Sequence, residues 1–165
     1  MKGVSFFFIF AGMNERSKRI VLPNESVFDE IAGLLRQGKR ITLRTKGRSM
    51  VPFIIGGRDC VVLQQLDSLA VGDIVLAHVS GKGYLLHRII GLNGNRVLLM
   101  GDGNVAATEA CLRNDVCGVV TEIIRNGRSV CCASAAERRK VALWLFLKPV
   151  RRYILGAGRR LGLKW

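Results

Sequence analysis

Only two histidines and three prolines occur in 165 residues. No apolar run reaches the roughly 20 residues that a helix needs to cross a bilayer. The scarcity of proline, beside a hydrophobic fraction of 49%, excludes a disordered chain. The length suits one domain plus an appendage. Five cysteines, Cys60, Cys111, Cys117, Cys131 and Cys132, form no Cys-x-x-Cys pair and have no companion histidine at metal-ligand spacing. They read as reduced thiols, so no zinc site, other metal or cofactor is expected. Acidic residues are also few. Twelve Asp and Glu face 26 Lys and Arg, leaving a net charge of +14 that implies an anionic partner: nucleic acid, anionic lipid or an acidic peptide.

What the chain does have is a serine on a turn. In Gly47-Arg48-Ser49-Met50-Val51-Pro52-Phe53-Ile54, Gly47 permits backbone angles that other residues avoid. Pro52 removes a ladder donor and biases Val51 toward an extended conformation, so sheet pairing breaks near Ser49. A hydroxyl held there is exposed as a nucleophile needs to be. His87 lies inside the apolar run Tyr84 to Ile90, where a strand would fix it on one face, and Asp102 follows in a glycine-flanked turn. Ser49, His87 and Asp102 supply the residue types of a hydroxyl nucleophile, the imidazole that takes its proton and the carboxylate that orients the imidazole.

Several boxes occur in order. Ser49-Met50-x-Pro52 is followed by Gly57-x-Asp59-x-Val61, Val71-Gly72-Asp73-Ile74-Val75, His87-Arg88-Ile89-Ile90-Gly91 and Gly101-Asp102-Gly103-Asn104. This series, from about Thr42 to Val120, resembles the S24/S26 serine peptidases, the group of the type I signal peptidases and the self-cleaving LexA-like repressor domains. The resemblance implies a coiled, barrel-like β-domain and a peptidase activity with Ser49 as nucleophile. His87 occupies the slot where most bacterial members carry a lysine base, which resembles the Ser/His variant of archaeal and endoplasmic-reticulum signal peptidases. Asp102 matches the acidic residue of the last box, and Asp115 is a weaker alternate. An imidazole with a pKa of about 6.5 accepts a proton near neutrality without the deep burial a lysine base requires. Gly47 stands where the family often places a hydroxyl, leaving the Ser49 N–H as the oxyanion donor.

Three segments are expected. Residues 1–12 read as a short hydrophobic leader or the product of an upstream start codon, with Met13 the true start. Residues 13–136 form the peptidase-like domain, mainly β. A capping-box pattern at Ser26-Val27-Phe28-Asp29, the stripe Val27, Ile31, Leu34 and Leu35, and the stop at Gly38 predict one helix from Ser26 to Gln37. Strands are expected at Ile41–Lys46, Cys60–Leu63, Ile74–Ala77, Tyr84–Ile90, Val97–Leu99 and Val116–Ile124, with hairpin turns at Gly81-Lys82-Gly83 and Asn93-Gly94-Asn95. Asp59 and Asp73 read as turn residues, and His78 as an ordinary strand residue. Residues 137–165 form a basic helical tail broken at Pro149, carrying nine Lys or Arg against one Glu. It reads either as an amphipathic segment on an anionic membrane surface or as a helical hairpin packed on the barrel. Nucleic acid is disfavoured, because no helix-turn-helix or stacking motif accompanies the charge.

The functional expectation is therefore a serine endopeptidase that resembles signal peptidase I and acts on precursor peptides or proteins, peripheral to a membrane or cytoplasmic. Two alternatives stand beside it. One is a peptide-binding module on the same fold that has lost turnover. The other is a LexA-like self-cleaving regulator, for which the stretch from Met13 to Gly38 is too short to supply a DNA-binding head.

Overall fold

The computed structural model of the chain describes residues 8–11 and 25–161. The protein is mainly β, an antiparallel sheet curled into a half-barrel, with a few helices. Helix α1 spans Glu25–Arg36, and the strands are β2 (Ile41–Arg44), β3 (Cys60–Gln64), β4 (Ile74–Val79), β5 (Gly83–Asn93), β6 (Arg96–Met100), β7 (Glu109–Leu112), β8 (Val116–Arg125) and β9 (Arg128–Cys131). Phe8–Ala11, inside the stretch expected as a leader, forms strand β1 against β2; the other residues of that stretch, and Met13, lie outside the described residues. The strand order is β1-β2-β3-β8-β4-β5-β6-β7, with β9 paired to β8.

The chemistry of the elements follows the sequence closely. α1 begins at Glu25, one residue before the expected start. It ends as expected on Gly38, whose φ of 76° places it in the left-handed region. There Gly38 N–H bonds Leu35 O at 2.9 Å and Lys39 N–H bonds Leu34 O at 3.2 Å, the paired arrangement that satisfies the last helical carbonyls. Ile31, Ala32 and Leu35 are buried against the sheet. Gly118 of β8 makes room for them: a Cβ there would stand 3.0 Å from Leu35 Cδ1.

β4 shows why the sheet holds together. Ile74 and Leu76 join the cluster under α1, while Val75, Ala77 and Val79 join a second cluster with Leu85, Ile89, Val97 and Leu99. Both faces of this strand are covered, so its apolar run does not alternate. Irregular register at Val62/Leu63, Leu76/Ala77 and Ile89/Gly91 bends the sheet. The two expected hairpins form between β4 and β5 and between β5 and β6.

The loop between β2 and β3 carries Ser49, and it is closed at its base by Asp59. Thr45 N–H and Thr45 Oγ1 both donate to Asp59 O, at 3.1 and 2.9 Å. The Asp59 carboxylate, fully buried, accepts from Ile55 N–H, Arg58 and Arg125. Burial alone would raise its pKa, but the hydrogen bonds from Arg58, Arg125 and Ile55 outweigh burial and hold it below the usual carboxylate value. Asp59 is thus structural, as its position at a strand start suggests. Asp59→Ala leaves both guanidinium groups without their shared anion. We expect a loss of about 3 kcal/mol, near the low end for a buried pair because both arginines reach solvent, measured by urea unfolding at neutral pH. The depressed pKa adds stability above the unfolded value of about 3.9 and loses it as pH falls through the folded pKa, so the gap between wild type and variant narrows in acid.

The tail folds as α2 (Ala135–Phe146), a 3-10 turn at Lys148–Val150 that contains Pro149, and α3 (Arg151–Arg160). Ser134 caps α2, its Oγ accepting from Glu137 N–H at 3.4 Å. Trp144 and Leu155 are buried with Val51, flanked by Phe53, Ile55 and Ile154. The described part of the tail therefore packs on the domain through one side of each helix. No helix among the described residues is long and apolar enough to cross a membrane.

Candidate active site

Ser49 sits in the turn after Gly47, whose φ is 90°. Val51 N–H reaches back to Arg48 O at 3.4 Å and Ile54 N–H to Met50 O at 2.9 Å, so residues 48–54 form a compact coil outside the sheet ladder. Ser49 is half-buried, at a narrow cleft lined also by Thr45, Met50, Gly56 and Leu86. Its N–H makes no hydrogen bond among the described residues, which leaves it available as an oxyanion donor.

His87 lies on β5, with Val75 of β4 as its cross-strand neighbour. In the strand's alternation it falls with Leu85 and Ile89, and it is 6% exposed. Its Nδ1 is 3.0 Å from Glu109 Oε2, and the other Glu109 oxygen accepts from Lys82 Nζ at 3.0 Å. A carboxylate on Nδ1 places the ring proton there and turns the lone pair of Nε2 outward, the tautomer a general base needs. Burial pushes the His87 pKa below its ordinary value of about 6.5, and the neighbouring Glu109 only partly restores it. The imidazole is therefore neutral at pH 7 and ready to accept a proton.

Asp102 occupies a different place from the one the sequence suggests. Its carboxylate is gripped by Arg88, Nε to Oδ1 at 2.8 Å and Nη2 to Oδ2 at 2.6 Å, and Arg88 Nη1 also donates to Gly72 O at 2.6 Å. A two-pronged guanidinium pairing is stronger than a single imidazole contact, so the arginine beside His87 in sequence captures this acid. The carboxylate on His87 is Glu109, from β7. Asp115 is further removed in role, accepting Leu112 N–H at 2.8 Å in a local turn. His78 is exposed on β4, with its ring centroid 5.0 Å from that of Tyr84.

The Ser49 carbonyl and the His87 ring both face Gly101. A Cβ on Gly101 would lie 2.5 Å from Ser49 O and 3.1 Å from His87 Nε2, and one on Gly103 would lie 2.6 Å from Arg48 O. Gly103 N–H donates to Ser49 O at 2.8 Å. The Gly101-Asp102-Gly103-Asn104 box is thus a seat for the serine turn, and glycine is required where two backbones touch. In this structure the Ser49 hydroxyl and the imidazole are not hydrogen-bonded to each other; such contacts commonly tighten only with substrate in place.

Trp144 covers the same turn from outside. Its Nε1 donates to Asp102 O at 3.2 Å, and Arg151, 1% exposed, donates to Trp144 O at 3.1 Å and to Asn104 O at 3.5 Å. Among the described residues no group of His, Cys, Asp and Glu converges to hold a metal ion, and all five cysteines are free, with Cys111 and Cys117 buried and Cys131 exposed.

Gly101→Ala tests the seat. The added methyl meets the backbone of Ser49 and the edge of His87, neither of which can yield cheaply. We expect a loss of about 1–3 kcal/mol of stability by denaturant unfolding, the usual cost of overpacking.

Searches with protein-family models and among curated proteins found no match to this chain.

Proposed function

We propose that the protein is a serine endopeptidase of the S24/S26 type, acting on peptide or precursor-protein substrates. The observation that carries this reading is that Gly101 packs against both the Ser49 carbonyl and His87 Nε2, while Glu109 holds His87 Nδ1: a half-buried serine on a turn, an imidazole facing the same glycine, and a buried carboxylate behind the ring. Ser49 Oγ attacks the carbonyl carbon while His87 Nε2 takes its proton. The oxyanion is met by the Ser49 N–H. His87 then gives the proton to the departing amine, and water, activated in turn by His87, hydrolyses the acyl ester and regenerates the hydroxyl. Glu109 holds the ring in place and stabilises its cationic form. Asp102 acts one step away, fixing the glycine turn through Arg88. The narrow cleft beside Ser49 suits a small residue next to the scissile bond, and an extended substrate would pair by backbone hydrogen bonds.

Incubation of the purified chain with a diverse synthetic peptide library, read by mass spectrometry, tests the reading. Wild type should cleave a subset with small residues at the bond. Ser49→Ala should cleave none, with an unchanged melting temperature. Cleavage surviving in Ser49→Ala removes this mechanism.

The pH profile tests the base. Activity is present where His87 is neutral, so kcat/KM should fall as the solution is acidified, with a midpoint below 6.5 or so. Glu109 raises the His87 pKa, so Glu109→Gln should move that midpoint to still lower pH while reducing kcat/KM on the order of 10²–10⁴-fold. An unshifted limb in Glu109→Gln would mean that another group titrates.

A further inference from the structure

Helix α2 is apolar on two sides. Trp144 faces the glycine turn, and Val141 and Leu145 line the cavity between α2 and the sheet. Leu143 and Phe146, one turn apart, point the other way and are 59% and 81% exposed. A helix packed on one face normally puts polar residues on the opposite one. Here large hydrophobic side chains stand in that position, and Val150 in the following turn continues them at 42% exposed.

The charges around this ridge are mostly positive. Arg139 precedes Leu143 by one turn, Lys140 precedes it by three residues, and Lys148 follows Phe146. Lys140 pairs with Glu137, the sole acid of the tail, at 2.6 Å; no ion pair forms at Arg139 or Lys148 among the described residues. Beside the ridge a mainly apolar groove of about 400 Å³ opens between α2 and the β8–β9 hairpin, walled by Leu143, Leu147, Val130 and Phe53 and also by Arg125, Glu137 and Lys140. Protruding apolar side chains flanked by cations, next to a mainly apolar slot, are the complement of a surface with anionic headgroups over hydrocarbon.

We propose that the outer side of α2 and its following turn is a docking surface for an anionic phospholipid bilayer, with Leu143, Phe146 and Val150 entering the headgroup region and Arg139, Lys140 and Lys148 meeting the lipid charge. A nucleic acid would use the cations and leave the hydrophobic ridge idle. Because Phe53 belongs to the loop that carries Ser49, the bilayer would lie alongside that loop. The docking itself does not depend on turnover at Ser49.

Co-sedimentation of the full chain with vesicles decides the matter. Wild type and Ser49→Ala should both bind vesicles of phosphatidylcholine with about 30 mol% phosphatidylglycerol, fail to bind pure phosphatidylcholine, and be released as salt rises well above about 0.1 M. The double variant Leu143→Ser/Phe146→Ser alters only exposed side chains, so its melting curve should match wild type while its vesicle affinity falls at least about tenfold. Arg139→Gln/Lys148→Gln should weaken binding to the anionic vesicles. Undiminished binding by the Leu143→Ser/Phe146→Ser variant would assign the attraction to diffuse charge and overturn the proposal. So would failure of wild type to sediment, or retention on nucleic acid or an acidic protein without vesicle binding.

Discussion

The contact between Gly103 N–H and Ser49 O joins two segments that are more than 50 residues apart in sequence. One is the coil that presents the serine, and the other is the turn leaving the strand next to the histidine. Because both meet through backbone atoms, their separation is set by peptide geometry and not by flexible side chains. Around this contact the molecule places successive supports. Arg88 grips Asp102 from the sheet, Trp144 bonds its carbonyl from the tail, and Arg151 ties Trp144 to Asn104. Arg88 also lies with its guanidinium carbon 4.7 Å from the centroid of Phe53, so the serine coil and the glycine turn share one cation.

This arrangement separates two jobs that carboxylates do near a histidine. Glu109 acts on the imidazole electrostatically and by orientation, from a buried position beside Lys82. Asp102 acts on the backbone, through an ion pair with both partners nearly inaccessible to water. Such a pair gives little net stability relative to apolar packing, but removing one partner leaves the other charge stranded. Its value here is geometric.

Much of the fold could be read from local chemistry. The β-branched runs of β3, β4, β5 and β8, the glycine hairpins and the Gly38 stop all announced themselves because each depends on residues near in sequence. Strand β7 did not: Glu109-Ala110-Cys111-Leu112 lacks β-branched and aromatic residues and is held in place by pairing with β6. Glu109 was missed with it. Its cue, an acid alternating with Cys111 on the buried side, has meaning only once the strand is known. The box around Asp102 is legible but its partner is not, because sequence order cannot show that Arg88, next to the histidine, pairs with that acid. For the tail, charge and the break at Pro149 were legible, whereas the inward turn of Trp144 and Arg151 required the sheet to be present.

Trp144, Leu155 and Val51 form one small apolar nucleus made from the serine loop and the two C-terminal helices. The change in composition near residue 137 is therefore not a seam at which the protein comes apart. A version trimmed to end before α2 would bare Val51 and Phe53 to water and strip the Asp102 carbonyl of its indole. What resembles an appendage in the sequence is the outer wall of the serine loop and the glycine turn.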